Sequence, residues 1–373
     1  MIRRPLAPWW LATPSRFAGL TRNHARIALA LLGMLLAATL MAYATPGPPP
    51  VSHDPANRGN DQADVVLYET IVDNLRHGGA YYLVTADALR AGNYPLRPFV
   101  TFRLPTLAMV QAAIPPRAVA LMLYLLVAAV ALAWWQRLSP AFTRGPPRLV
   151  AMALLAGGMM AFVQSDLAPF HEIWAGLLIA LSLAVHRPGS WVSAVAFGLA
   201  AALIRETAGL YLALMFALAW LSGDRREAIG WGVAVAVLAA ALALHAHAVG
   251  QVVRPLDPSS PGWSGLLGFG FFVRTMTIST ALGIAPLWLA APLVGLTLFG
   301  WAAWRSELAL RVLVTLSAYA AVLAVFGRTD TFYWGLLVAP TLLVGLAFAP
   351  DGLRDLVTAA MDRRRITVTR VVR

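Results

Sequence analysis

Long apolar runs alternate along this chain with short polar breaks, and one stretch departs from that rhythm. The runs are Ile27 to Ala44, Ala118 to Trp135, Leu149 to Val163, Phe170 to Val185, Ile229 to Ala248, Ile284 to Trp304, Leu308 to Phe326 and Tyr333 to Ala349. A hydrocarbon core of ~30 Å takes about 20 helical residues, so each run predicts a membrane span. Trp191 to Leu221 is apolar for 31 residues with Arg205 and Glu206 near its middle. An arginine at mid-bilayer costs about 2.5 to 3.5 kcal/mol, so this run is expected to split into two short helices that meet at the charged pair. The expected architecture is an all-α polytopic bundle of ten spans.

The exception is Asp61 to Arg103. It carries five acids, four arginines and one histidine in 43 residues, more than a bilayer interior accepts. Its first half has a helical period, with Leu67, Tyr68, Ile71, Val72 and Leu75 on one face and Glu69, Asp73 and Arg76 on another. That pattern predicts an amphipathic helix along a membrane surface. Three further segments fit no span. Leu104 to Ile114 is too short and should lie on the bilayer or dip into it. Phe271 to Leu282, broken by Arg274 and rich in Thr and Ser, is expected on the outer surface. The tail, residues 350–373, is basic and is expected to lack a core of its own, with a short helix and then disorder.

Composition agrees with a membrane chain: 59% hydrophobic residues, 12% charged, and a mean hydropathy of +0.69 over 373 residues. Cysteine is absent, which excludes disulfides, thiolate nucleophiles and cysteine-held metals. A net charge of +12 would point to nucleic acid in a soluble domain, but topology accounts for it. With the amino terminus inside, cytoplasmic segments hold 19 arginines and 6 acids, and outer segments hold 10 arginines and 11 acids. The surplus is the positive-inside bias, so no nucleic-acid partner is expected. Five arginines before Ile27 read as the leader of an uncleaved signal anchor. Cleavage after Ala42-Tyr43-Ala44 is the rival reading. Both termini are then cytoplasmic, and the first loop, residues 45–116, is outside. Residues 1–349 form the membrane domain.

The outer segments hold the candidate chemistry. Asp61 and Asp64 precede the amphipathic helix, and Tyr68 shares a face with Asp64. Either carboxylate suits a general base, or both simply stabilise the helix start. His171 and Glu172 head a span, where they can orient a hydroxyl, although their spacing suits no metal. His245 and His247 have an equally poor spacing for a shared site. Trp263, Tyr81 and Tyr82 are placed to stack on sugars.

The order of these motifs resembles the GT-C superfamily of membrane glycosyltransferases. The resemblance rests on Asp64 with Tyr68 four residues later, Gly78-Gly79-Ala80-Tyr81, the Arg97-Pro98 junction and HEIWAGLLIALSLAVHR from His171. Two later phrases, GLAAALIRETAGLYLAL and TFYWGLLVAP, complete it over roughly residues 27 to 349. Two features depart from the pattern. Val65 follows Asp64 where arabinosyl- and protein-mannosyl-type relatives often carry Asp-Glu, and there are no added outer domains. The likeness is therefore to the compact, mannosyltransferase-like branch.

The resemblance implies an inverting hexosyltransferase in a bacterial inner membrane. It would move a sugar from a polyprenyl-phosphate donor to a lipid or glycan acceptor at the periplasmic or exterior face. It also implies Asp64, with Asp61 beside it, as the base. Arg97, Arg103, Arg205 and Arg274 would hold the donor phosphate, unless they serve as interfacial anchors. Tyr68, Tyr81, Tyr82, Glu172 and Glu206 would line the substrate. No metal ligands are assigned, and a divalent ion is compatible with the chemistry. A transporter or flippase of lipid-linked sugars and a noncatalytic assembly subunit are the alternatives.

Overall fold

A computed structural model describes residues 7–47 and 63–362, and no strand occurs among them. Asp61 and residues 363–373 of the tail lie outside the described residues. The helices are α1 (Arg22–Thr39), α2 (Ala63–Arg76), α3 (Tyr81–Ala91), α4 (Thr106–Ala113), α5 (Pro116–Leu138), α6 (Gly145–Gly158), α7 (His171–Val185) and α8 (Val192–Ile204). They continue with α9 (Gly209–Leu221), α10 (Arg225–Val252), α11 (Gly268–Ile278), α12 (Leu287–Ala303), α13 (Glu307–Phe326), α14 (Ala339–Leu342) and α15 (Ala349–Ala360). Short 3-10 turns join several of them. Their starts follow local chemistry. The Thr21, Asp224 and Ser306 side chains accept from backbone N–H groups in the first turns of α1, α10 and α13, and Pro116 opens α5.

Among the described residues, four stretches are long and apolar enough to cross a membrane: Arg22–Tyr43, Pro116–Ala141, Arg225–Val252 and Glu307–Phe326. Their outward faces stay apolar. Leu31 and Met34 on α1, Leu121 and Leu125 on α5, and Ile229 and Leu244 on α10 are all exposed. Such a surface suits lipid contact rather than water. The α7, α8, α9 and α12 helices are apolar but shorter, 13 to 17 residues each. At 1.5 Å per residue, thirteen residues cover only about 20 Å.

The expected break at Arg205 is present: α8 stops at Ile204, a 3-10 turn covers Glu206–Ala208, and α9 begins at Gly209. The last apolar run is not a straight helix. Thr329–Leu337 and Ala339–Ala347 are bent by 59° to each other, with Pro340 in the first turn of the second piece. This bent segment lies directly on α12. A methyl group on Gly300 would stand 1.8 Å from the Gly345 carbonyl oxygen, so only glycine permits that approach.

One expectation is corrected. The segment placed on the outer surface contains α11, whose Phe271, Phe272, Val273 and Met276 are fully buried in the main core. Two of its polar side chains turn back on the local backbone, Thr277 donating to Val273 O and Thr280 to Met276 O, so the polarity of these two does not demand water. The short helix expected in the tail is α15, and it packs into the bundle. In α15, Leu356, Ala359 and Ala360 pack with Ala25 and Leu32 of α1 and Phe299 of α12. Asp351, fully buried, accepts from the backbone N–H groups of Trp9, Trp10 and Leu11, and Asp355 accepts from that of Ser15. These bonds tie the two ends of the described chain together.

The first loop forms a satellite core of its own. Leu67, Ile71 and Val72 of α2 pack with Tyr81, Ala86 and Leu89 of α3 and with Phe102, while Glu69 and Asp73 face outward, as the helical period predicts. A second loop, residues 253–263, is fastened to it. Leu96 N donates to Pro258 O, Ser260 N donates to Arg97 O, and Arg90 forks onto Asp257 at 2.8 and 2.9 Å.

Candidate active site

Beneath these fastened loops lies a cavity of about 350 Å³, a volume suited to a small ligand. Each wall comes from a different element. The α2 helix contributes Asp64, Tyr68 and Ile71 on one face, and α3 contributes Tyr81 and Thr85. The segment before α4 contributes Thr101 and Arg103, α7 begins with His171, and the far wall is Trp263, Arg328, Thr331 and Tyr333. A second cavity of about 420 Å³ adjoins it and shares Val100, Arg103, Trp263, Thr331 and Tyr333. It adds Arg205, Glu206, Leu242 and Trp334.

Asp64 sits in the first turn of α2, half-buried, where the helix dipole favours a carboxylate. Its Oδ1 accepts from the Tyr94 hydroxyl at 2.9 Å. Burial, with Asp64 beside it, pushes the Tyr94 phenol above its ordinary value, so that hydroxyl remains a donor. Tyr68, one turn on, accepts from Arg103 Nε at 3.2 Å, and burial likewise raises its pKa. Tyr81 donates to the Arg103 carbonyl at 2.7 Å, which fixes the backbone that carries this guanidinium.

The charges form a chain. Arg205, 1% exposed, pairs with Glu172, also 1% exposed, and with Glu206, and Glu206 reaches Arg103 at 3.5 Å. Arg205 is thus committed to two carboxylates and its charge is already matched. Arg103 borders both cavities, and its Nη2 makes no hydrogen bond among the described residues. Burial works against the Arg103 charge, but Tyr68, Glu206, Tyr333 and Glu172 more than offset it, so the group stays cationic.

Not every residue singled out from the sequence converges here. Arg97 lies outside the cavity walls and donates to the carbonyls of Pro255 and Asp257, pinning the second loop. Arg274 is also remote, with its Nε on the Ala42 carbonyl in the 3-10 turn that follows α1. Tyr82 bonds His245 Nδ1 at 3.1 Å and fastens α3 to α10 rather than lining the cavity. Glu172 stands behind the wall as the partner of Arg205. Tyr94, Thr101 and Arg328 were not singled out from the sequence. Tyr94 is 30 residues from its partner Asp64, so no local spacing marks it.

Several buried polar atoms around these cavities have no hydrogen-bond partner among the described residues: both ring nitrogens of His171, Thr101 Oγ1, Glu206 Oε2 and Trp334 Nε1. Native proteins rarely leave such atoms unmet by protein, water or ligand. Among the described residues, no three His, Asp or Glu side chains gather as a metal-binding group. No protein-family model matches the chain, and no curated protein or solved structure is significantly similar to it.

Proposed function

We propose that this protein is an inverting glycosyltransferase of the GT-C kind, using a polyprenyl-phosphate sugar as donor and a lipid or glycan hydroxyl as acceptor. Under this reading it crosses the inner membrane ten times, with both termini cytoplasmic and the roofed cavity on the outer side. The shorter helices then cross as packed pairs and bent segments beside the four long ones. The observation that carries the proposal is the pairing of one half-buried carboxylate, Asp64, with one guanidinium, Arg103, whose Nη2 has no hydrogen-bond partner among the described residues, on the walls of a single cavity.

The chemistry balances with these two groups. The acceptor oxygen attacks the anomeric carbon from the face opposite the phosphate, and its proton passes to Asp64. The bond from the anomeric carbon to the phosphate oxygen breaks, and both electrons leave with the polyprenyl phosphate. Its growing charge is met by Arg103. Arg205 contributes through the chain Glu172–Arg205–Glu206–Arg103, which holds Arg103 in place, rather than as a free phosphate ligand.

The transport reading draws on a different observation, the 59° bend between Thr329–Leu337 and Ala339–Ala347, because broken helices frame the sites of many transporters. Reconstitution separates the two. Purified protein in liposomes with a radiolabelled polyprenyl-phosphate sugar and an alkyl-glycoside acceptor should yield an acceptor-linked sugar of inverted configuration. Movement of intact donor between leaflets without cleavage of the anomeric bond would instead establish transport and overturn the transferase reading.

A further inference from the structure

We infer that His171 is the group by which this cavity recognises an uncharged hydroxyl of its ligand. The inference rests on the transferase reading, under which that hydroxyl belongs to the donor sugar. His171 is 3% exposed, lines the cavity, and has both ring nitrogens buried without a partner among the described residues. The other two buried histidines among the described residues differ. His186 Nε2 meets Glu227 at 2.9 Å, and His245 has Tyr82 on one nitrogen and the Phe102 carbonyl on the other.

Withholding a polar nitrogen from water without a partner is costly, so the His171 site is incomplete until something in the cavity meets it. The ring is not free to turn away. It packs against the Tyr68 ring with centroids 4.8 Å apart and planes at 66°, and Tyr68 is itself held by Arg103. Thr101 Oγ1, also buried and unpartnered, borders the same space.

The donor set indicates what fits. A neutral imidazole offers one donor and one acceptor, and a hydroxyl both donates and accepts. A phosphate dianion only accepts, so it would leave one imidazole nitrogen unmet. Phosphate belongs with Arg103, and a polyol belongs with His171 and Thr101. The cavity thereby divides into a charged half and a hydroxyl-reading half.

The test uses the full chain in nanodiscs and measures calorimetric dissociation constants for farnesyl phosphate and for farnesyl phosphate esterified to mannose, glucose, galactose or arabinose. The wild type should bind at least one sugar ester more tightly than farnesyl phosphate alone. His171→Phe keeps the ring volume and its contact with Tyr68 but removes both nitrogens. It should weaken that ester about ten- to a hundredfold and leave farnesyl phosphate unchanged. His171→Gln, which restores a donor and an acceptor, should recover most of the loss. If His171→Phe keeps the wild-type preference for the ester, or weakens both probes equally, the hydroxyl-reading role is overturned while the transferase reading stands. Equal wild-type binding of all probes also overturns it. Wild-type binding of none of them overturns the donor reading, and this inference falls with it.

Discussion

Replacing Arg205 with Met distinguishes a structural ion chain from an open phosphate cradle. Arg205 and Glu172 are each 1% exposed, and Arg205 is the only hydrogen-bonding partner of the Glu172 carboxylate among the described residues. Removing the guanidinium strands a buried carboxylate, which costs about 3 to 5 kcal/mol, or roughly two to four powers of ten in the folding equilibrium. Glu206 is affected less because Arg103 remains at 3.5 Å. The double variant Arg205→Met with Glu172→Gln no longer buries an unmatched charge and should recover at least about half of that loss. Arg205→Lys should fall between, since a single ammonium cannot fork onto both carboxylates. The assay is unfolding in mixed micelles titrated with denaturing detergent. If Arg205 were an open cation poised for phosphate, its removal would relieve repulsion with Arg103 and leave stability unchanged or improved. A single variant within about 1 kcal/mol of wild type, or a double variant no better than the single, refutes the argument.

Other consequences can be checked separately. The hydrogen bonds from Arg90, with that from the Arg254 N–H, hold the Asp257 carboxyl down at about 2. A depressed carboxylate pKa stabilises fully above its unfolded value of ~3.9 and is lost as pH falls through the folded value. Pepsin should therefore spare residues 253–263 at pH ~4 and cut them near pH ~2, whereas Asp257→Asn should be cut already at pH ~4. Asp351→Ala removes the acceptor for three backbone N–H groups, two of them part-buried and one fully buried. It should cost about 2 to 3 kcal/mol and speed tryptic cleavage after Arg16 or Arg22. Gly300→Ala should abolish a monodisperse preparation, because its methyl would lie 1.8 Å from the Gly345 carbonyl.

Much of the scaffold is legible in the pattern of apolar and polar positions, because burial and hydropathy vary together along a helix. The period from Leu67 to Leu75 marks the buried face of α2, and the charged pair at Arg205 marks the end of α8, since few apolar helices carry two charges at mid-length. What the pattern does not encode is partnership across the fold. Asp64 finds Tyr94, Arg97 finds the carbonyls of Pro255 and Asp257, and Asp351 finds N–H groups some 340 residues away. Each depends on which loops and termini meet, and composition says nothing of that. Residue type misleads around α11, where Thr277, and Thr280 just past its end, donate back to the helix's carbonyls while Phe271 and Phe272 take the core. Among the arginines, the sequence marks a cationic set, but only packing separates Arg103, which lines the cavity with its Nη2 unpartnered among the described residues, from Arg205, Arg97 and Arg274, which are occupied elsewhere.

The most direct measurement of the central claim is the single-turnover rate of sugar transfer by Asp64→Asn. The asparagine oxygen still accepts from Tyr94, so the unfolding midpoint and donor affinity should match those of the wild type. The lost base should lower the rate by roughly 10² to 10⁴. Asp61→Asn, the neighbouring carboxylate read mainly as a helix-start residue, should lose far less. Transfer by Asp64→Asn at the wild-type rate would contradict the account and remove the chemistry from this cavity wall.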